Sequence, residues 1–494
     1  MSIDQQIDAM FKTLADVSEA VLFYGLKFNV PDATGVMVEK SFPLILLWLM
    51  VAGFFFTFYL WFPNLRYFRH SFNIVRGKHD EPEADGQINN FQALMASLAG
   101  TVGLGNIAGV AVAVSVGGPG AVVWMIVMAF VGMSTKFAEV TAGVKYRRCF
   151  INAKGEKDIS GGPMYYLQDI FTNRGKPKLG KFLAIVFALC CIGGAIGGGN
   201  MFQANQTYTQ FLNASGGDAS WLAGKGWMFG VVLAFLTGMV IIGGIKSIAN
   251  VSSKLVPIMA ILYLLAGFFV IIMNLGQVPE ALGVILKEAF TPTAGLAGLA
   301  GAMLTGIQRA SFSNEAGLGS AAIVQSCART AEPVRQGIAA MMGPFIDTVI
   351  ICLMTALVIV ITGVYQSGQG MAGVELTSNA FASEIPWAPW LLAFTVFMFA
   401  YSTLIGWAYY GVKASTFIFG ERQAVELTFK IVFCLFVIVG CAADLTNVIR
   451  FTDAMILSMA FPNLIGLYVM APELKRDLQA YVAKHLRRDL KQEL

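Results

Sequence analysis

Two short segments of this 494-residue chain set polar and glycine residues inside otherwise apolar surroundings, and these are the places where chemistry could be done. The first is Ser97-Leu-Ala-Gly-Thr-Val-Gly-Leu-Gly-Asn106, with three glycines and two hydroxyl residues. The second is Ser311-Phe-Ser-Asn-Glu-Ala-Gly-Leu-Gly-Ser320, where Gly317 and Gly319 follow four polar residues in five. A helix unwound at such a stretch frees N–H groups at the start of one half and C=O groups at the end of the other. The former attract a carboxylate, the latter an ammonium group or Na⁺. Covalent chemistry has no comparable candidate. His70, His79 and His485 are scattered over polar segments, which predicts no metal cluster and no Ser-His-Asp set. Cys190, Cys191, Cys352, Cys434 and Cys441 lie in apolar runs, with Cys149 and Cys327 beside arginine-rich loops. All seven read as small hydrophobes rather than disulfide or zinc partners. No nucleophile and base can be assembled at one depth, which disfavours a membrane enzyme.

Composition decides what must hold these segments. At 56% hydrophobic, 13% charged and mean hydropathy +0.66, the chain is no soluble domain, in which about a quarter of residues are charged. Runs of about 20 apolar residues predict eleven spans, near 42–63, 92–117, 119–144, 181–211, 227–248, 254–275, 297–326, 336–364, 388–415, 429–445 and 448–471. Loops rich in Lys and Arg stay in the cytoplasm. With the amino terminus outside, inner segments hold 26 of the 34 such residues and outer segments six. The chain is thus expected to be a multi-pass protein of a bacterial inner (plasma) membrane, with its carboxyl terminus in the cytoplasm. Net charge +4 reflects this topology, not a basic patch, and excludes a nucleic-acid partner.

Residues 1–41 read as a polar, partly helical segment outside the membrane, with Leu22, Phe23, Leu26 and Phe28 able to lie on the headgroups. Interfacial helices are expected at Ser160–Lys181 inside and Pro279–Phe290 outside, and 472–494 as a charged cytoplasmic tail. If 42–63 is an extra helix, the two polar breaks fall in the first helix of each of two five-helix halves, 92–275 and 297–471, joined through 276–296. An odd number of helices per half inverts one against the other, and matched broken helices in inverted repeats point to a transporter site. Blander readings stand beside this one: Gly105 and Gly109 form a GxxxG pair that could mark close helix packing. Gly103, Gly105 and Gly109 mimic a dinucleotide loop but follow no strand. The cluster Gly193–Gly199 would let the broken helices approach closely.

Three motifs carry a family resemblance. Ala99-Gly-Thr-Val-Gly-Leu-Gly-Asn-Ile-Ala-Gly109, Gly199-Asn-Met-Phe-Gln-Ala-Asn205 and Ser313-Asn-Glu-Ala-Gly-Leu-Gly-Ser-Ala321 resemble those of the alanine or glycine:cation symporter family, over nearly the whole chain. The first is also similar to the broken first helix of the neurotransmitter:sodium symporters. The resemblance implies an all-α polytopic protein with the leucine-transporter arrangement, two inverted five-helix repeats preceded by one helix. It further implies symport of a small neutral amino acid, alanine or glycine, with Na⁺ as coupling ion, in the lipid bilayer and without an organic cofactor. Carried over by motif, Thr101, Gly103, Gly105 and Asn106 would hold the substrate carboxylate. Phe312, Ser313 and Asn314 would face it and receive the ammonium, and Gln203 and Trp407 would close a small pocket. Na⁺ would sit between the carbonyls of Ala99 and Val102 and the hydroxyls of Ser402 and Thr403, an oxygen-only set suited to a hard cation. Asn106, Thr101 and Ser313 could form a second cation site.

Ionisable residues inside spans are functional by default, because burying them is costly. Lys136 and Glu139 are three apart on one helix face and could satisfy each other. Arg309, Glu315 and Asp347 are expected to gate or lock helices, with Asp347 also able to serve as a cation ligand or proton acceptor. Proton coupling through Asp347 or Glu315 is the rival within transport. A channel or non-transporting sensor on the same fold is the rival outside it.

Overall fold

Apolar segments can hide their backbone in a bilayer only as helices, and the computed structural model is built of them. It describes residues 3–22, 25–31, 37–151, 157–290, 295–367 and 373–486. Among these, seven helices are long and apolar enough to cross a membrane, and one further crossing is a pair bent by 60°.

The chain starts with helix α1 (Ile3–Leu22) and an antiparallel hairpin, β1 (Gly25–Pro31) and β2 (Met37–Pro43). Helix α2 (Leu44–Tyr59) lies where the extra helix is expected. Then come α3 (Asn90–Thr101) and α4 (Ala108–Gly117), the bent pair, and α5 (Ala121–Lys145). A second hairpin, β3 (Arg148–Ile151) with β4 (Lys157–Ser160), leads into α6 (Pro163–Thr172). Helices α7 (Pro177–Ile196) and α8 (Phe202–Ala214) form one crossing through a wide, π-type turn at Gly197–Met201. Helices α9 (Gly226–Ile241), α10 (Gly244–Met273) and α11 (Val278–Phe290) precede the second broken helix, α12 (Gly295–Asn314) and α13 (Ser320–Gln325). Helices α14 (Pro333–Ala340) and α15 (Leu353–Thr362) flank another wide turn at Phe345–Cys352. The last elements are α16 (Val374–Ala382), α17 (Ala388–Phe419), α18 (Gln423–Ala442), α19 (Leu445–Ser458) and α20 (Ala460–Tyr481).

The polar surface segments pack onto the bundle. The amino-terminal segment is partly helical, as expected, and α1 is stapled down: Asp4 accepts from the Gly226 N–H at 3.0 Å and Asp8 from the Asp444 N–H at 2.8 Å, capping α9 and α19. Asp16 pairs with Arg450 at 2.7 Å, and Phe11 is buried against Phe451. Leu26 is exposed, whereas Phe23 and the side chains of Leu22 and Phe28 lie outside the described residues. A helix is present where one was expected, and α6 is packed against the bundle, with seven of its ten residues buried. The tail is docked rather than solvated: Leu474, Leu478 and Tyr481 are buried, and Lys145 bonds Glu473 at 2.7 Å and Asp477 at 2.5 Å. Residues 487–494 lie outside the described part. The same docking gathers the scattered histidines. His70 meets Tyr481 at 2.9 Å, while the rings of His79 and His485 lie 4.9 Å from His70 and 4.7 Å from Tyr481 respectively.

One end of the bundle is clamped by segments flanking the two broken helices. Arg147 donates to the carbonyls of Asp85, Ser326, Ala328 and Thr330 at 2.7–2.9 Å. Beside it Gln87 N–H bonds Cys327 O at 2.8 Å and Arg329 N–H bonds Ile88 O at 2.7 Å, so the entry to α3 and the exit from α13 move as one piece. Burial favours the neutral form of Glu81, but the Ala331 N–H and the Arg335 guanidinium outweigh it and hold the carboxyl below its ordinary range. Arg147→Ala is expected to loosen this clamp by about 3 kcal/mol, the scale of hydrogen bonds to a charged donor. Hydrogen exchange at the Gln87 and Arg329 amides should quicken accordingly. Unchanged exchange there would show that another group holds the clamp.

Candidate functional site

The first break is made by directing N–H groups away from the helix. Helix α3 starts in a capping box between Asn89 and Gln92 and ends at Thr101. There the Gly103 N–H turns back to Thr101 O at 2.9 Å and also reaches Asn106 Oδ1 at 3.0 Å, while the Asn106 N–H bonds Gly103 O. The carbonyls of Ala99 and Val102 therefore lose the partners they would have four residues on in a continuous helix. The Leu104 N–H donates to Gln203 Oε1 at 3.0 Å, and Gln203 Nε2 donates to Gly198 O at 2.9 Å. A Cβ at Gly103 would overlap the Thr403 hydroxyl, so only glycine allows α17 this close to the break.

Beside the break lies a cavity of about 10 Å³, the room of one water, lined by Gly100, Thr101, Gly105, Gly198, Gln203, Phe312, Glu315, Thr403, Trp407 and Ile456. Of the expected substrate residues, Thr101, Gly105, Gln203, Phe312 and Trp407 line it, and Gly103 sits at its edge against Thr403 and Gln203. Asn106 turns its Oδ1 to the break and its Nδ2 away from it, and the side chains of Ser313 and Asn314 are engaged away from the cavity. Asn106 Nδ2 donates to Asp347 Oδ1 at 2.6 Å, Ser313 Oγ to Asp347 Oδ2 at 2.6 Å, and Asn314 Nδ2 to Thr348 Oγ1 at 3.2 Å. Of the expected cation residues, Thr403 lines the cavity. Ser402 is buried beside it, both hydroxyls donating to Phe399 O, at 2.8 Å for Ser402 and 3.1 Å for Thr403. Trp407 Nε1 is fixed between Gly100 O at 3.2 Å and Glu315 Oε1 at 3.0 Å. Sequence reading did not find Ile456, whose only signal is an apolar residue in an apolar span.

The second break is held by charges. Glu315 has φ 55°, and Gly317 and Gly319 have φ 88° and 84°, so the chain between α12 and α13 runs in the left-handed region that favours glycine. Glu139 Oε2 accepts from the N–H groups of both glycines at 3.1 Å. Lys136 pairs with Glu139 at 3.1 Å and donates to Glu315 O at 3.0 Å. Lys136 and Glu139 do satisfy each other, and in doing so they satisfy the break. Asn463 adds a bond to Gly317 O at 2.8 Å and is itself bonded by Tyr166 of α6. Arg309 pairs with Asp453 of α19, which also accepts from Gln308 at 2.8 Å, and its guanidinium lies 5.5 Å over the ring of Phe312. This buried pair sits one helical turn from Ile456, which lines the cavity.

Two discontinuous helices meeting at a buried, backbone-lined cavity define a membrane carrier of the leucine-transporter fold. The crystal structure of MhsT in complex with L-phenylalanine has this fold, matching 79% of this chain and 99% of that one with TM-score 0.50 at 15% identity. Residues 29–493 match the Sodium:alanine symporter family, and the chain belongs to that family. It is 38% identical to the sodium/alanine symporter AgcS of Methanococcus maripaludis, over 89% of this chain and 94% of that one. It is 35% identical to the amino-acid carrier protein AlsT of Bacillus subtilis, over 91% and 90%. The chain is thus a multi-pass membrane transporter and not an enzyme.

The charged lock makes a definite forecast. Glu139→Ala strands Lys136, which is 2% exposed, and should cost about 3–5 kcal/mol. Lys136→Met with Glu139→Gln removes the stranded charge while keeping an acceptor for Gly317 and Gly319. Thermal melting of this double variant should recover most of the loss. A double variant as unstable as Glu139→Ala would mean that the charge pair does not dominate.

Proposed function

We propose that the chain imports a small neutral amino acid, alanine or glycine, together with Na⁺ by alternating access between two inverted halves, 92–275 and 297–471. The extra helix 42–63 precedes them, with the amino terminus outside. The observation that carries this reading is what holds the first break. The Gly103 and Leu104 N–H groups are bonded to side-chain amide oxygens of Asn106 and Gln203. A substrate carboxylate presents the same kind of acceptor, with charge, and can replace them without loss of hydrogen bonds. Thr101 to Asn106 would then bind the carboxylate, and the carbonyls of Phe312, Ser313 and Asn314 the ammonium. Gln203 and Trp407 would close over it. Phe312, Trp407 and Ile456 leave little room beyond a methyl group, and the name of the relative AgcS is in keeping with such a substrate. Na⁺ would take the freed carbonyls of Ala99 and Val102 with the hydroxyls of Ser402 and Thr403, and a second ion could lie among Asn106, Thr101 and Ser313. One observation favours the proton-coupled rival: the buried Asp347 carboxyl receives Ser313, Thr348 and Asn106, all neutral donors.

Size selection is the first test. Phe312→Ala and Ile456→Ala should weaken alanine uptake and admit valine or leucine, each methylene being worth about 0.8 kcal/mol of burial. Unchanged selectivity in both variants would move the substrate elsewhere.

Coupling is the second. A zwitterion carried with one Na⁺ moves one positive charge, worth about 2.3 kcal/mol per 100 mV. A tenfold Na⁺ gradient adds about 1.4 kcal/mol. Alanine uptake into proteoliposomes should rise with an inside-negative potential and vanish when choline replaces Na⁺. Uptake that ignores the potential would sink Na⁺ symport, and uptake that persists in choline with a pH gradient would favour proton coupling through Asp347.

A further inference from the structure

Helix α2 leaves a groove on the side of the bundle that the transport site does not use. It is a cavity of about 320 Å³ between α2 and α5, walled by Phe54, Phe58 and Phe62 on one side and Ile126, Val127 and Phe130 on the other. The polar side chain in this wall, Thr57, turns its hydroxyl to Gly53 O at 2.8 Å and Val131 O at 3.3 Å, so the groove offers an apolar surface. Its volume lies in the range of small-ligand sites, about 300–1,000 Å³.

The groove ends at an unusual turn. Trp61 and Phe62 have φ 59° and 53°, the left-handed region that bulky residues rarely adopt. Asn64 secures the turn through a 2.8 Å bond to Phe130 O. From here the chain becomes basic: 64–79 holds Arg66, Arg69, Arg76 and Lys78 and no Asp or Glu. Leu65 and Phe72 in this segment are exposed, and Arg76 lies 4.2 Å over the Phe72 ring. The Arg66 N–H bonds Phe62 O, which sets the first arginine one turn from the groove, beside an exposed Trp61. Exposed apolar side chains, a tryptophan and arginines are what a chain presents at headgroup depth.

We propose that this groove and its arginines bind one anionic phospholipid, with an acyl chain between α2 and α5 and the phosphate on Arg66 and Arg69. The leaflet that supplies it rests on the orientation proposed above; the site does not. A second copy of the chain fits less well, because a two-fold contact here would face like charges against each other. The groove also bears on the transport machinery, since α5 continues from Phe130 to Lys136 and Glu139, which hold the second break.

The test is lipid retention. Protein purified from vesicles of equal phosphatidylglycerol and phosphatidylcholine is examined by native mass spectrometry. Two arginines at a membrane surface should favour phosphatidylglycerol by roughly thirtyfold. Arg66→Gln with Arg69→Gln, both exposed and so compatible with folding, should abolish that preference. Val127→Trp should fill the groove and lose the retained lipid. Equal retention of the two lipids, a preference that survives the arginine changes, or lipid retained by Val127→Trp would each overturn the proposal. So would efficient disulfide cross-linking between copies of Phe58→Cys. None of these readouts depends on uptake, so failure here is distinguishable from failure of the transport reading.

Discussion

A helix broken deep inside a membrane protein exposes N–H and C=O groups where no water can reach them, and each needs a partner. The carboxylate of Glu139 meets that need for the second break, taking the N–H groups of Gly317 and Gly319 while Lys136 takes Glu315 O. The two donors and the acceptor are served by an ion pair three residues apart on one straight helix. Neither charge is tolerable at that depth without the other. Much else is arranged around this pair: α5 must be rigid and central, Asn463 and Tyr166 must complete the polar shell, and α6 must be buried to bring Tyr166 there.

The two breaks are satisfied in different ways, and the difference assigns their roles. At the second, the charged groups of α5 take the Gly317 and Gly319 N–H groups and Glu315 O, and the neutral Asn463 takes Gly317 O. At the first, the partners are neutral amides: Asn106 from the break itself and Gln203 from α8. A neutral amide oxygen yields to an incoming carboxylate; a carboxylate already paired with a buried lysine does not. Exchangeable partners suit a binding site and fixed ones suit a frame. Trp407 joins them, its indole N–H bridging Gly100 O of one broken helix and Glu315 of the other.

Both breaks could be read from the chain because glycine and polar residues stand out against apolar runs. The lysine and glutamate of α5 were also legible as a pair, since helical spacing is local. Their grip on Gly317 and Gly319 was not, because it depends on how α5 packs against α12 and α13, almost 180 residues away. Long-range packing explains the other gaps. Asp453 looks like a residue of an outer helix end until Arg309 meets it, and Ile456 looks like any apolar residue until Gly198 leaves room for it. The histidines read as unrelated because 406 residues separate His79 from His485, yet the docked α20 brings both rings to the His70–Tyr481 pair. Polar segments such as 1–41 and the tail signal water by composition, and the caps made by Asp4 and Asp8 and the ion pairs of Lys145 are what pull them onto the bundle.

The second broken helix is held by arginines at two places, within α12 and past the end of α13, but by different physics. Within α12 Arg309 pairs with Asp453, and the two are 4% and 5% exposed. Burying such a pair costs desolvation that its attraction roughly repays, so its net contribution is small and separation into water is cheap. Past the end of α13 Arg147 binds four carbonyls of the two loops. A cation that replaces missing backbone donors for two loops at once ties both broken helices together there, so that opening at that end would have to move α3 and α13 in concert. Motion of the first break is thereby linked to the second through the loops as well as through the direct 3.2 Å bond from Asn106 Nδ2 to Ser313 Oγ.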